Sequence, residues 1–341
     1  MTADGVAGGK DGSGPTRVLL AGHGTEPARM QAYVQALEAL GPDYLSASDA
    51  ADADIVLFAE RGDNKFRRWR KVLEADPVFN AHAGKCFTYD FSDTAVTFLP
   101  GLYPCLPRRR VDRHFAVAVD YWREIDGPVE EELAQREEPP GLLFSFRGFR
   151  SSPVRAKLFE LPLAGVQSRI TETFQWKGYG SADADQARRE FLEEMRNSAF
   201  VLCPRGLAPA SYRLYETMYL GRVPVVLSDE LALAEGVPWE QFTIRVAEDE
   251  LASLPRLLES RSADAPEMGR AARSAWETYM RPGPTLMRRW LDAIVELQRA
   301  MDPGAHGRSA LSRRWSSQSF QWENGIHPAQ GVRQRLRGVR G

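Results

Sequence analysis

Residues 198–229 read SAFVLCPRGLAPASYRLYETMYLGRVPVVLSD, and their pattern decides the fold. Ala199–Cys203 (AFVLC) and Val223–Leu227 (VPVVL) are short, unbroken apolar runs, the mark of strands buried on both faces. Between them a Pro204-Arg205-Gly206 loop leads into a helical stretch, Ser211–Leu220. Ser211 is placed as its N-cap and Gly221 as its closing glycine. Strand, loop, helix, strand is the unit of a parallel α/β sheet, and such sheets bind ligands beyond the carboxyl ends of their strands. Arg205, Ser211 and Arg213 fall at that edge, where free backbone N–H groups and guanidinium forks favour an anion such as phosphate. Glu216 follows Arg213 by three residues, so the two share a helix face and a carboxylate there can accept sugar hydroxyls. The competing interpretation is an ordinary surface i,i+3 pair worth a few tenths of a kcal/mol. Cys203 ends a strand with no evident histidine partner and reads as a core thiol.

The same alternation runs outward in both directions. Upstream, Leu142–Phe146 (LLFSF) reads as a strand, Pro153–Phe159 and Asp185–Arg196 as helices. Nearer the amino terminus, Arg17–Ala21, Ile55–Ala59 and Cys86–Tyr89 read as strands, with Pro27–Leu40 and Phe66–Leu73 helical between them. Downstream, Leu286–Met301 reads as a last helix stopped by Asp302-Pro303-Gly304. The chain has 341 residues, 43% hydrophobic and 26% charged, with a net charge of −2. That composition is globular, long enough for two domains, and too balanced in charge to predict a nucleic-acid partner. Three widely spaced cysteines without a CxxC suggest neither a zinc knuckle nor a disulfide framework. The Gly5–Lys10 stretch (GVAGGK) is one residue short of a phosphate-binding P-loop and is followed by Asp11. The polar amino terminus reads as neither signal nor anchor, so a cytoplasmic protein is expected.

Leu202–Gly221, Val223–Asp229 and Val237–Val246 (VPWEQFTIRV) together resemble the exostosin-type glycosyltransferases, in the manner of their soluble bacterial-type branch. Leu142–Leu161 (LLFSFRGFRSSPVRAKLFEL) is similar to the same family's Gly-Arg loop, and Tyr89–Tyr103 matches it faintly. Pro238 stands where many relatives carry Asp. The resemblance implies a GT-B architecture: α/β, two Rossmann-like domains with a cleft between them. It implies a nucleotide-sugar donor, commonly a UDP-sugar, and inverting transfer without a metal or other cofactor. The acceptor would be a glycan, glycolipid or small molecule. Residue by residue it places Arg147, Gly148, Arg155, Arg205, Gly206, Ser211, Arg213 and Glu216 in the donor site.

The domains expected are a tail at 1–15, an acceptor-side domain at 16–138 and a donor domain at 139–283. A helix at 284–302 returns to the first domain, and a basic, flexible tail follows at 303–341. The first boundary rests on the acidic run Glu130–Glu132, Glu137, Glu138 ahead of Pro139-Pro140. The tail's arginines suggest peripheral contact with the inner membrane face. The base that takes the acceptor proton is expected to be one of His23, Glu60, Asp90 and Asp93, each of which also reads as an ordinary loop or turn residue. Tyr103 could stack on a sugar or simply be buried beside its turn. The alternative to an enzyme is a catalytically degenerate protein of the same fold that binds a nucleotide sugar or glycan.

Overall fold

The computed structural model describes residues 14–23, 25–60, 66–125, 127–136, 138–163, 165–172, 182–302 and 306–324, with backbone only at 60, 66–68 and 182–185. It divides into two compact units. Unit 1 comprises residues 1–104, 110–118 and 287–341; unit 2 comprises 105–109 and 119–286.

Unit 1 is built on six strands: β1 (Thr16–Ala21), β2 (Tyr44–Ser46), β3 (Ile55–Glu60), β4 (Cys86–Asp90), β5 (Gly101–Leu102) and β6 (Ala116–Val117). All pair in parallel, in the order β2-β1-β3-β4-β5-β6. The connections carry α1 (Pro27–Glu38), α2 (Phe66–Ala75) and α3 (Pro77–His82). Ile55, Val56, Leu57 and Phe58 are all buried, as an inner strand covered on both faces requires.

Unit 2 contains α4 (Pro128–Ala134), β7 (Leu142–Gly148), α5 (Pro153–Leu158), β8 (Ser168–Glu172), α6 (Ala182–Arg196), β9 (Ser198–Pro204), α7 (Tyr212–Tyr219), β10 (Val223–Leu227), β11 (Ile244–Arg245), α8 (Leu254–Ser260) and α9 (Ala265–Ala275). Its five strands are again parallel, ordered β11-β10-β9-β7-β8. Phe144, Phe146, Phe200, Leu202, Val223 and Val225 form the core beneath α5, α8 and α9. The α/β expectation is therefore met twice, once in each unit.

Helix α10 (Pro284–Ala300) passes from unit 2 into unit 1 at Met287. Its Trp290 lies 3.9 Å, centroid to centroid, from Tyr89 and 5.9 Å from Tyr33, and Asp292 accepts a 2.5 Å hydrogen bond from Tyr44.

Two boundaries differ from the sequence expectation. The acidic run is not a linker at 138: α4 lies inside unit 2, where Arg188 and Arg189 of α6 pair with Glu130 and Glu132. Tyr121, Trp122, Ile125 and Leu133 are buried around it. The basic stretch 303–341 is not flexible throughout, since α11 (Arg308–Ser316) and α12 (Gln318–Glu323) bury Leu311, Trp315 and Phe320 in unit 1. Trp315 donates to the Phe98 carbonyl at 2.7 Å and stacks on Phe79 at 5.8 Å. The expected tail at 1–15 lies almost wholly outside the described residues, as do the arginines beyond 324. Among the described residues no helix is long and apolar enough to cross a membrane.

Trp315→Ala removes a fully buried indole and one hydrogen bond, so it lowers stability by about 3–5 kcal/mol. Urea titration followed by circular dichroism measures this, and a loss under about 1 kcal/mol would show that α11 contributes little to the core.

Candidate functional site

The carboxyl ends of β7 and β9 bring the sequence-marked residues of unit 2 together. Alternation along β7 sends Phe144 and Phe146 to one face and Ser145 and Arg147 to the other. The Phe146 ring becomes the floor of the site. The Arg213 guanidinium lies 4.5 Å from its centroid and that of Arg155 lies 5.7 Å away. Arg213 is only 8% exposed and donates from Nη2 to the Arg147 carbonyl at 2.5 Å. Its Nε and Nη1 have no hydrogen-bond partner among the described residues, nor has the buried hydroxyl of Ser151. Arg155 donates to the carbonyls of Arg205 (3.1 Å) and Pro204 (3.3 Å). Burial, then the neighbouring charge of Arg213, pushes Arg155 down to about 10. Burial likewise pulls Arg213 below its ordinary value. Two cations thus lie over one aromatic ring with neutral carbonyls as their hydrogen-bond acceptors, an arrangement that favours a nearby anion.

Glycine shapes this cradle. A Cβ at Gly148 would lie 2.8 Å from Phe146 Cζ and 3.5 Å from Arg213 Nη2, and one at Gly206 would lie 3.4 Å from Arg155 Nη2. Ser152 holds the two loops together: its hydroxyl donates to the Arg205 carbonyl at 2.8 Å and accepts from the Arg155 amide that starts α5.

Other expected donor residues have different roles. The Arg147 guanidinium turns to the opposite sheet face, pairing with Glu194 at 3.1 Å and Glu190 at 3.4 Å, so only its carbonyl serves Arg213. Arg205 is held by both oxygens of Glu248, at 2.6 and 3.0 Å, and that hydrogen bonding raises it. Ser211 stands at the N-cap of α7 without a side-chain capping bond. Arg213 and Glu216 are not a surface pair, since both are buried. Glu216 Oε1 instead accepts from Arg188 (2.8 Å) and Arg123 (3.2 Å), and Arg188 is held in turn by Glu130 (3.0 Å). Burial alone would push the Glu216 carboxyl up; Arg188 and Arg123 outweigh it and hold it below 4.5. Cys203 is a core thiol, pushed up by burial to about 12.

Sequence reasoning missed Arg123, Ser151, Arg188 and Glu248. Of these only Arg188 carried a signal, lying three residues before Phe191 on the inward stripe of α6.

The expected bases all belong to unit 1. His23 follows β1, with Nε2 3.0 Å from Asp76 Oδ2 and its ring stacked on Phe58. Asp76 Oδ1 accepts from the Phe79 amide at the start of α3, which fixes the carboxylate. Asp90 is 1% exposed and binds the amide and hydroxyl of Ser92 at 3.0 and 2.7 Å, an Asx turn. Asp93 is exposed in the loop after β4. Glu60 ends β3, and its side chain lies outside the described residues. Tyr103 is buried, its hydroxyl donating to the Leu99 carbonyl at 2.5 Å, so it offers no stacking face. Among the described residues no cluster of three His, Cys, Asp or Glu could hold a metal ion.

A family model, the exostosin GT47 domain, matches residues 85–261, more than half of the chain. The chain therefore belongs to the exostosin GT47 family, as the donor-site motifs suggested. Over 134 residues it is 28% identical to the probable glucuronosyltransferase GUT1 of Oryza sativa subsp. japonica, spanning 39% of this chain and 32% of that protein. Over 97 residues it is 40% identical to the exostosin-1 homolog of Caenorhabditis elegans (28% of this chain, 25% of that one). Over 98 residues it is 39% identical to the probable beta-1,4-xylosyltransferase IRX10 of Arabidopsis thaliana (28% and 24%). The chain thus matches about a third or less of the length of each of these relatives.

Because Glu216 is held below the usual carboxylate range, its stabilisation is present above pH 4.5 and fades as pH falls through its lower folded value. Arg188→Gln removes most of that support. Its melting temperature falls well below wild type at neutral pH, and the gap narrows below about pH 4. A gap independent of pH would show that Arg188 acts by packing alone.

Proposed function

We propose that this chain is a glycosyltransferase that moves a sugar from a nucleotide-sugar donor, a UDP-sugar, to a hydroxyl of a glycan, glycolipid or small-molecule acceptor. The observation that carries the reading is the buried Arg155–Arg213 pair with its unpartnered donors at the carboxyl edge of a parallel sheet. The donor diphosphate would take the Arg213 Nε and Nη1 donors and the Ser151 hydroxyl. Glu216, kept ionised by Arg188 and Arg123, would accept hydroxyls of the ribose. Membership of a family whose named relatives include glucuronosyl- and xylosyltransferases supports the reaction class.

In the transfer, the acceptor oxygen bonds to the anomeric carbon as the bond from that carbon to the diphosphate oxygen breaks, inverting the centre. Negative charge grows on the leaving diphosphate, and two guanidiniums fixed in a dry site stabilise it without reorganising. This supplies the positive charge from the protein and makes the reaction independent of a metal ion. The acceptor proton passes to a base. Among the four residues considered, His23 is the one we assign, because its pairing with Asp76 orients the imidazole.

Calorimetric titration with UDP, GDP, dTDP and CMP tests the donor site. One nucleoside diphosphate binds the wild type, and Arg213→Ala or Arg155→Ala weakens it at least about tenfold, a loss of ~1.4 kcal/mol or more. Equal affinity in all three proteins would overturn the assignment. His23→Gln tests the base: turnover falls by about 10²–10⁴-fold with nucleotide affinity unchanged. A wild-type protein that binds nucleotide but transfers nothing to any acceptor class would be the degenerate binding protein instead.

A further inference from the structure

The opposite, amino-terminal edge of the unit 2 sheet carries a second concentration of positive charge that the donor site does not use. Arg196 lies two residues before β9 and Arg222 directly before β10. With Arg270 and Arg273 from α9 they line an open cavity of about 310 Å³, of which the Leu220-Gly221 turn after α7 is also part. Strands of seven residues separate this edge from the Arg155–Arg213 edge by about 20 Å.

The cavity exists because two backbones touch. A Cβ at Gly269 would lie 2.4 Å from the Gly221 carbonyl, and Gly221 itself has φ +64°, so two glycines let α9 seat against the turn. That contact carries Arg270 and Arg273 to Arg222. The guanidiniums are anchored mainly by neutral groups. Arg196 donates to the Leu133 carbonyl at 2.9 Å, and Arg222 to the Arg196 carbonyl at 2.7 Å and the Glu138 carbonyl at 3.4 Å. Arg273 binds the Tyr219 carbonyl and pairs with Glu277 at 2.8 Å. Arg270 is exposed and forms no ion pair among the described residues. One carboxylate, Glu277, therefore faces four arginines in the lining. Capping of α7 accounts for Arg273 but not for the other three. Burial holds Arg196 below its ordinary value, and the nearby charge of Glu138 offsets this only in part.

We infer that this cavity is a second anion site and that its ligand is a phosphate group, presented either by a soluble phosphate ester or by a lipid headgroup. Guanidiniums from the end of α6, the turn before β10 and α9 line this one pocket with a single carboxylate, Glu277, among them, a set that suits a tetrahedral oxyanion. The site is independent of the donor assignment.

Titration of the full chain with inorganic phosphate in the Arg213→Ala background tests it, since that substitution disables the donor edge. Saturable binding persists there. It weakens at least about tenfold in Arg270→Gln and in Arg222→Gln, and stays unchanged in Arg256→Gln, an equal charge loss on the exposed side of α8. Arg270 is exposed, so its substitution leaves folding intact if Arg222→Gln does not. Phosphate binding abolished by Arg213→Ala alone, or weakened as much by Arg256→Gln as by Arg270→Gln, would overturn the inference. Sedimentation with phosphatidic acid–phosphatidylcholine vesicles then separates the sources. Vesicle binding lost in Arg270→Gln assigns a lipid phosphate, and phosphate binding without vesicle binding assigns a soluble one.

Discussion

Two buried guanidiniums set the terms for unit 2. Arg155 and Arg213 both lie over the Phe146 ring, and the charge of Arg213 helps hold Arg155 below its ordinary value. Such a pair persists only where carbonyls are aimed at it, and the loops after β7 and β9 supply those of Arg147, Pro204 and Arg205. Much of the local sequence answers to that need. Gly148 and Gly206 keep side chains out of the cradle, Ser152 ties the loops, and Glu248 draws Arg205 aside so that a third cation does not join the pair. An anion between the two guanidiniums would relieve their repulsion, which is why the proposed donor site is placed there.

A second layer steadies the first. Glu130, Arg188, Glu216 and Arg123 form one alternating chain of charge across α4, α6 and α7. A lone buried carboxylate would protonate; flanked by two arginines it stays ionised, and its position is set by helices rather than by a loop. The acidic run at 130–132 thereby acquires a structural purpose inside unit 2, with Glu132 held by Arg136 and Arg189.

What the sequence made legible follows from these physics. Buried parallel strands are nearly pure apolar runs, so β3, β9 and β10 were readable directly, and Gly221 marked the end of α7. The motif named two loops that the structure brings together, yet it could not say how their side chains are directed. Arg147 sits in the strand pattern LLFSFRG, where parity with Ser145 already turns its side chain away from Phe146. Arg205 depended on Glu248, 43 residues on and visible only once β11 is in place. The basic stretch after 303 hid its helices because arginines dominate its composition, while Leu311 and Trp315, four residues apart, form the buried stripe. The acidic run misled for the reverse reason: its partners lie on α6, about sixty residues further along the chain.

The central claim is that the Arg213 side chain waits, charged and under-bonded, for the donor diphosphate. Two-dimensional ¹H–¹⁵N NMR of arginine side chains reads it directly, with Arg213→Lys assigning the Nε resonance. The account predicts that saturating nucleoside diphosphate shifts the Arg213 Nε–H downfield and slows its exchange with water, while the Arg205 resonance, already bonded to Glu248, stays in place. An Arg213 resonance that neither moves nor gains protection when nucleotide is bound would contradict it.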